Sequence, residues 1–295
     1  MKPAPFEYVA PGSIDEAADV LARHGDSAKI LAGGQSLVPM LNMRLVRPSV
    51  LIALRRIAGV QYVAVDEACV RIGSMTRQSA VEHDGAVRTA CPVLGEALRL
   101  VGHPVIRHQG TVGGSIAHAD PAAELPAVLV ALDGLVTLVS TRGRRSVPAR
   151  EFFLGLLATA AEPDELVTEL VFNRVGRPGL TCGWAVEEVS RRHGDFALAG
   201  AIAGVVAEPG GRVADARIAV FGVESTPTRR VGAEAAVTGS RCDAKTVADA
   251  TAAAARDLDP LDDLHASGRL RAHLAGVLVQ RALERAYRQA VGGDG

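Results

Sequence analysis

The chain of 295 residues carries 32 Lys and Arg against 33 Asp and Glu, for a formal net charge of -1. This balance leaves no electrostatic footprint for nucleic acid or an anionic membrane surface. Only 3% of the residues are aromatic while 48% are hydrophobic, which excludes a base-stacking surface and indicates a globular protein with sizeable cores.

The cysteines Cys69, Cys91, Cys182 and Cys242 are far apart and form no C-x-x-C pair. This spacing argues against an iron–sulfur cluster or a structural zinc site within the chain, so no metal ligands are predicted. Cysteines used in this way, behind an N-terminus without an apolar signal region, favour a reducing cytoplasm over a secreted location.

The first 55 residues predict a small α+β unit. Ser13 and Glu16 have the spacing of a capping box, for a helix that stops at Gly25. Short strands are predicted at residues 6–9, 29–32 and 50–54, with a helical segment at 35–44 that tolerates Pro39 only near its start.

The middle of the chain mixes both periodicities. We predict a hairpin from residues 60–65 and 68–72, helices at 76–83, 93–101 and 122–132, and strands at 135–140 and 165–172. The arginine-rich turn 141–145 is interpreted as a solvated tip, and the segment 173–179, with two glycines and Pro178, as a linker.

The last third reads as strands followed by helices. Strands are predicted at 181–189, 197–207 and 213–221, and helices at 244–258 and 269–290, which indicates an antiparallel sheet covered by helices. The longest apolar stretch, 197–207, is too short to span a bilayer, so no membrane span is predicted.

Two Gly-Gly turns stand out because each follows an apolar run and carries polar neighbours. One lies in Leu31–Leu37 (LAGGQSL) and the other in Thr111–Ser115 (TVGGS). Adjacent glycines let a backbone approach a bulky anion closely, and neighbouring hydroxyls can donate hydrogen bonds. A single pair is more often only a turn, but two of them suggest one extended, phosphate-bearing ligand held from two sides. The chain has no G-x-G-x-x-G, G-x-x-x-x-G-K-[ST], H-E-x-x-H or G-x-S-x-G motif.

Three blocks together resemble the FAD-binding medium subunit of the molybdenum hydroxylases, the family of carbon monoxide dehydrogenase and xanthine dehydrogenase. They are Ala32–Leu37 (AGGQSL), Ile106–Pro126 (IRHQGTVGGSIAHADPAAELP) and Val189–Ala197 (VSRRHGDFA). The resemblance implies an α+β fold with a two-lobed FAD-binding domain of the p-cresol methylhydroxylase type, followed by a C-terminal antiparallel sheet with helices. The corresponding domains are residues 1–55 (lobe 1), 56–177 (lobe 2) and 178–291 (C-terminal domain).

The resemblance also implies which residues hold FAD. The first glycine turn would wrap the diphosphate with Ala32, Gly33, Gly34, Gln35, Ser36 and Leu37, and lobe 2 would do so with Thr111, Gly113, Gly114 and Ser115. His118 and Asp120 fall where the family contacts the phosphates or ribityl chain, Glu124 falls at the adenosine part, and Arg192 and Asp195 fall near the flavin ring.

Each of these residues also has an ordinary structural interpretation. Gln35 and Ser36 could cap the next helix, Asp120 could cap the helix after Pro121, and Glu124 could be a first-turn acid stabilised by that helix. Arg192 would by default belong to a solvated face.

The function implied by the resemblance is that of an oxidoreductase subunit with no catalytic residues for substrate chemistry. FAD would accept electrons from two [2Fe–2S] clusters of a small subunit, while a large subunit oxidises the substrate at the molybdenum cofactor. The family assembles as a dimer of heterotrimers. Two alternatives stay open: a stand-alone FAD-dependent oxidoreductase of the same fold, and an assembly subunit that has lost FAD. The substrate, whether carbon monoxide, a purine, another N-heterocycle or an aldehyde, is not encoded in this chain, and neither is the electron acceptor.

Overall fold

The computed structural model describes residues 1–176 and 179–292. The predicted domain boundary between residues 177 and 178, and the middle of the predicted linker 173–179, lie outside the described residues.

Lobe 1 is a small unit built on a parallel sheet in the order β1-β3-β2. Its elements are β1 (Glu7–Val9), α1 (Ile14–His24), β2 (Ala28–Leu31), α2 (Leu37–Asn42) and β3 (Val50–Ala53). The capping prediction is confirmed, because the Ser13 hydroxyl accepts a hydrogen bond of 3.1 Å from the N–H of Glu16. The helix α2 is shorter than predicted, and Pro39 lies in its first turn, where the missing N–H costs nothing.

Lobe 2 carries a five-stranded antiparallel sheet in the order β4-β5-β10-β6-β7 with helices packed on it. Its elements are β4 (Val63–Val65), β5 (Cys69–Gly73), α3 (Gln78–His83), α4 (Gly85–Ala90), α5 (Pro92–Leu100), α6 (Pro104–Gln109), α7 (Val112–His118), α8 (Glu124–Ala131), β6 (Leu135–Ser140), β7 (Gly143–Pro148), α9 (Ala149–Phe152), β8 (Phe153–Gly155), β9 (Ala158–Thr159) and β10 (Leu166–Asn173). All eight residues of α8 are buried, which makes this helix the centre of the largest core.

The arginine-rich turn is exposed, as predicted, while Arg144 and Arg145 extend into strand β7 and form ion pairs with Glu169 and Glu165. One prediction for lobe 2 is wrong. The second glycine motif is not a loop that precedes a helix, since α7 begins at Val112 and contains both glycines.

The C-terminal domain has an antiparallel sheet in the order β11-β12-β13-β14. Its elements are β11 (Thr181–Ser190), β12 (Ala197–Ala207), β13 (Val213–Phe221), β14 (Thr228–Arg229), α10 (Val231–Val237), α11 (Ala244–Ala254) and α12 (Gly268–Val291). Small residues on β12 let α12 lie close to one face of the sheet, while Trp184, Val186 and Phe221 on the opposite face join the core of lobe 2. The predicted fold class is therefore confirmed. Among the described helices, none is both long and apolar enough to cross a membrane.

Candidate cofactor site

The two glycine motifs, distant in sequence, meet at the junction of the lobes. The backbone of Gly33 packs so closely on Gln109 and Gly110 that a Cβ at Gly33 would overlap the Gln109 carbonyl oxygen and lie 2.9 Å from the Gly110 Cα. A Cβ added at Gly114 would lie 3.5 Å from the Cβ of Ala32. The first loop (residues 32–36) and the second motif (Thr111–Ser115) therefore form the two sides of one junction.

The second motif is held rigidly by its own backbone hydrogen bonds. The N–H of Val112 donates to the Thr76 carbonyl at 3.0 Å, and the N–H of Gly113 donates to the Ser74 carbonyl at 2.9 Å. Thr111 caps α7, since its hydroxyl oxygen accepts from the N–H of Gly114 at 3.0 Å. Because these N–H groups are used within the protein, this side of the junction offers hydroxyl groups rather than backbone amides to a ligand.

The first loop, in contrast, has backbone N–H groups that are not used within the protein. Among the described residues, the N–H groups of Gly34, Gln35, Ser36 and Leu37 donate no hydrogen bond. Gly34 has φ +75, a left-handed conformation that turns successive amides towards one side. All four residues are half-buried, so these amides are partly shielded donors of the kind that bind phosphate.

The structural alternatives for Gln35 and Ser36 can now be judged. The Gln35 side-chain amide donates to the Gly33 carbonyl at 3.2 Å, so it braces the loop rather than capping a helix. Ser36 occupies the N-cap position of α2, yet its side chain makes no capping hydrogen bond. The Ser36 hydroxyl is therefore available to a ligand.

The arginine that reaches the junction is not the one that lies next to the second motif in the sequence. Arg107 is buried and forms a 2.7 Å ion pair with Glu82, so its charge is already neutralised. Arg77 instead reaches the junction, because its guanidinium donates to the carbonyl of Gln109, the group on which Gly33 packs. Arg77 precedes α3 and carries no motif, which is why the sequence did not single it out.

His118 and Asp120 lie at the far end of α7. His118 is the last residue of that helix and is half-buried. The Asp120 side chain accepts from the N–H of Ala122 at 2.9 Å, which closes the turn before α8. The N-cap of α8 is Ala123, so the alternative in which Asp120 caps this helix is wrong.

Glu124, the first residue of α8, is a buried carboxyl group. Burial and, after it, the charge of nearby Glu188 raise the pKa of Glu124 to about 8. Glu124 is the first-turn acid of α8, as the structural alternative expected, but its raised pKa weakens the interaction of its charge with the helix N-terminus. Burial also raises the pKa of Glu188 to about 7, and its Oε2 atom is buried without a hydrogen-bond partner.

Arg192 and Asp195 lie at the tip of the hairpin between β11 and β12, in the segment Arg191–Phe196 (the β11–β12 hairpin tip). This tip packs against lobe 2 at Gly194, where a Cβ would lie 2.7 Å from the His103 ring. His103 is the N-cap of α6, and α6 runs to the residue before Gly110. The hairpin tip and the glycine junction therefore lie at opposite ends of α6, which at 1.5 Å per residue is roughly 9 Å long.

The residues present fit FAD. A diphosphate requires close backbone approach and clustered donors, which the glycine junction and the free amides of the first loop provide. The unpartnered Glu188 oxygen is a hydrogen-bond acceptor, and the ribose and ribityl hydroxyls of FAD are donors. The separation between the glycine junction and the hairpin tip matches an extended ligand rather than a compact one.

The structure does not bring every predicted site residue into one cluster. The residues of the first loop, Thr111, Gly113, Gly114 and Ser115 gather at the junction. His118, Asp120 and Glu124 follow along α7 and its turn, and Arg192 and Asp195 are on the hairpin tip. Sequence reasoning missed Arg77, His103 and Glu188, since none of them carries a motif and each gains its place only through tertiary packing.

Two family models match consecutive parts of the chain. Residues 4–172 match the FAD binding domain in molybdopterin dehydrogenase, and residues 184–286 match the CO dehydrogenase flavoprotein C-terminal domain.

Relatives match over nearly the whole length. The 6-hydroxypseudooxynicotine dehydrogenase complex subunit alpha of Paenarthrobacter nicotinovorans is 40% identical, covering 98% of this chain and 97% of its own. The caffeine dehydrogenase subunit beta of a Pseudomonas species is 38% identical, covering 97% and 96%. A chain of the solved carbon monoxide dehydrogenase from Hydrogenophaga pseudoflava superposes with a TM-score of 0.94 at 37% identity, covering 99% and 100%.

Proposed function

Since the chain belongs to the family of FAD-binding subunits of the molybdopterin dehydrogenases, we propose that it is the electron-transfer subunit of a molybdenum hydroxylase complex. Its FAD would take electrons from the [2Fe–2S] clusters of a small partner subunit and deliver them to an external acceptor. The large partner would carry the molybdenum cofactor and oxidise the substrate. We further propose a cytoplasmic complex assembled as a dimer of heterotrimers.

The observation that carries the proposal is the junction of the two glycine motifs. Gly33 lies against Gln109 and Gly110 with no room for a side chain, and the N–H groups of residues 34–37 stay free beside it. Such an arrangement leaves partly shielded donors without a protein acceptor, and a bound anion would supply acceptors for them. An FAD diphosphate has the charge and the acceptors to satisfy them.

We propose distinct roles for the two sides of the site. The amides of Gly34–Leu37 would hold the diphosphate, and the hydroxyls of Thr111 and Ser115 would donate to it from lobe 2. Ala32, Gly33, Gly113 and Gly114 would line the site, with Gly33 and Gly113 allowing the close backbone packing that forms its walls.

The remaining residues would hold the other parts of the ligand. His118 and Asp120 would contact the phosphates or ribityl chain, Glu124 the adenosine part, and Arg192 and Asp195 the surroundings of the flavin ring. The flavin supplies the redox chemistry, and the protein positions the ring and tunes its electronics.

The substrate belongs to the large partner, so this chain does not specify it. The similar proteins named above belong to a 6-hydroxypseudooxynicotine dehydrogenase complex, a caffeine dehydrogenase and a carbon monoxide dehydrogenase. A shared fold serving such different substrates supports a role in electron transfer rather than in substrate binding.

The test is to purify the chain without tags from its native source and record its absorption spectrum, metal content and subunit composition. Flavin, molybdenum and iron–sulfur signals with a large and a small co-purifying subunit are the expected result. Flavin on a chain that purifies alone and oxidises a substrate would show a stand-alone oxidoreductase instead. A colourless chain that does not bind added FAD would show an assembly subunit that has lost the cofactor.

A further inference from the structure

Arg271 is a buried arginine far in sequence from every motif of the candidate site. It lies one turn into α12, with 5% of its surface exposed. Its Nη1 group donates to two backbone carbonyls, those of Leu198 at 2.5 Å and Gly222 at 2.6 Å. Its Nη2 group forms a 2.6 Å ion pair with Asp263. A buried guanidinium whose amino group donates to two backbone carbonyls fixes the position of both backbone segments.

The carbonyl of Leu198 is exposed to Arg271 by an irregularity in the sheet. Strands β11 and β12 pair Val189 with Ala199 and Ser190 with Ala197, so the register shifts at this point and Leu198 is the extra residue of a β-bulge. A bulge bends the strand, leaves a backbone group without a ladder partner, and redirects the adjoining chain. Here, the hairpin tip Arg191–Phe196 adjoins the bulge.

Gly222, the second residue whose carbonyl binds Arg271, also contacts the turn between α7 and α8. The N–H of the same residue donates to the Pro121 carbonyl at 2.7 Å, in the turn that runs from Asp120 to Glu124. Gly222 has φ +69, and a Cβ there would lie 2.9 Å from the Ala197 carbonyl oxygen. The backbone is therefore closely fitted where the hairpin base, the end of β13 and the lobe 2 turn meet.

We propose that Arg271 is a positioning residue that fixes the bulged base of the β11–β12 hairpin against the Asp120–Glu124 turn, and thereby sets the position of the hairpin tip, the proposed flavin end of the FAD site, relative to that turn. The guanidinium of Arg271 binds the Leu198 carbonyl directly, and it binds the Gly222 carbonyl, whose own N–H group donates to Pro121. A displacement of either segment therefore breaks a charge-assisted hydrogen bond of Arg271. The link to FAD rests on the proposed function, whereas the link between the two segments does not.

A second contact ties the hairpin tip to the same region. The guanidinium of Arg191 lies 3.0 Å from Nδ1 of His265, which is in the loop before α12. Asp263, the ion-pair partner of Arg271, accepts from the N–H of His265 at 2.8 Å through its other oxygen. The start of α12 and its preceding loop thus hold the hairpin at both its base and its tip.

The test uses the full chain with Arg271→Met, Arg271→Lys and the control Arg281→Met. Arg281 is on the same helix, is exposed, and forms no hydrogen bond or ion pair among the described residues. Amide hydrogen exchange is measured without FAD, and FAD affinity and the visible circular dichroism of the bound flavin are measured with it. Lysine keeps the charge but cannot reach two carbonyls and a carboxylate together, so it separates charge from positioning.

In Arg271→Met we expect exchange at residues 191–198 and 120–124 to rise at least tenfold over wild type, with an altered flavin dichroism and roughly tenfold weaker FAD binding. Arg271→Lys should show the same changes in smaller degree, and Arg281→Met should show none. If both Arg271 variants lose thermal stability but keep the wild-type exchange in these two segments and the wild-type flavin dichroism, Arg271 is only a packing residue and the proposal is overturned.

The outcomes also separate this proposal from the proposed function. Failure of the wild-type chain to bind FAD would contradict the proposed function, while the exchange measurement would still decide whether Arg271 joins the two segments. Should Arg271→Met fail to fold, the exchange and dichroism of Arg271→Lys decide the question alone.

Discussion

At the scale of single residues, Gly33 lies directly against the backbone of Gln109 and Gly110 in the candidate site. A methyl group at Gly33 would overlap the Gln109 carbonyl oxygen, and because that contact is with backbone, no side-chain rotation can relieve it. The first loop must therefore move away from the second motif when any side chain is placed there.

We expect Gly33→Ala to weaken FAD binding at least tenfold, since the free amides of the first loop would no longer face the second motif. The measurement is a fluorescence titration of the flavin-depleted chain with FAD. Gly232→Ala is the matched control, because Gly232 is in α10, where the nearest atom to an added Cβ is 3.9 Å away. An unchanged FAD affinity in Gly33→Ala would contradict the placement of FAD at this junction.

The buried carboxyl of Glu124 predicts a pH dependence. Its folded-state pKa of about 8 lies above the ordinary value, so the folded chain holds a proton that the unfolded chain has released. Stability should therefore fall as pH rises from about 4.5 to about 8, and should not change further from this group outside that range.

Glu124→Gln, which cannot ionise, should remove part of this slope. We expect the variant and wild-type chain to have similar melting temperatures at pH 5 and the variant to be more stable at pH 8, measured without FAD. The contribution of Glu188 remains in the variant, because burial raises its pKa to about 7. Parallel melting curves for the two proteins from pH 5 to pH 8 would show that Glu124 ionises normally.

At the scale of secondary-structure elements, α6 connects the two ends of the site and is itself held by a buried ion pair. Arg107 on α6 and Glu82 on α3 form two hydrogen bonds, of 2.7 Å and 3.0 Å. Arg107 also donates to the Val101 carbonyl at 3.0 Å. Since α6 runs from His103 to Gly110, this pair fixes both the contact with the hairpin tip and the start of the second motif.

Glu82→Gln should lower the free energy of unfolding by about 3–5 kcal/mol, because it leaves a buried guanidinium without its countercharge. Denaturant unfolding measures the change. As control, Asp249→Asn breaks the exposed pair of Lys245 and Asp249 and should leave the free energy of unfolding nearly unchanged. A loss for Glu82→Gln as small as that of the control would mean that water reaches Arg107.

Elements with strong periodicity or clear caps were predicted well. The helix α1, with Ser13 at its cap, the buried strand β12 and the long helix α12 were all found near their observed bounds. In contrast, α6 was missed because Val105 and Ile106 are exposed rather than part of a buried stripe. The strand β7 was missed because its Arg144 and Arg145 find their partners only in β10 and the residue before it.

The site shows the same division. The glycine motifs, and the family resemblance based on them, identified residues of both motifs that meet at one junction in the structure. The sequence could not show that the second motif uses its own amides while the first leaves them free, since that depends on Ser74 and Thr76 as acceptors. Nor could it identify Arg271, whose partners Leu198 and Gly222 are backbone groups and leave no trace in side-chain chemistry.

At the scale of the whole molecule, lobe 2 and the C-terminal sheet share one core. Trp184 and Phe221 belong to the same buried cluster as the residues of α5 and α8. A charged group bridges the same boundary, because Glu96 on α5 accepts from the N–H of Val186 at 3.0 Å and pairs with Arg285 on α12. A hydrophobic core that continues across the domain boundary couples the unfolding of the two parts, because neither can open without exposing apolar surface of the other.

We therefore predict that lobe 2 and the C-terminal domain unfold in a single transition, which the fluorescence of Trp184, the one tryptophan in the sequence, reports directly. In Glu96→Gln the free energy of unfolding should fall by about 1–3 kcal/mol, because Arg285 loses one of its two charged partners and keeps only Glu187. The control is Glu284→Gln, at an exposed position of α12. We expect the transitions followed by fluorescence and by far-ultraviolet circular dichroism to coincide. Both should shift in Glu96→Gln and neither should shift in the control. Two separated transitions would mean that the shared core does not couple the domains. The proposed flavin end, where the hairpin tip meets lobe 2 at His103, would then lack the rigid support that this packing provides.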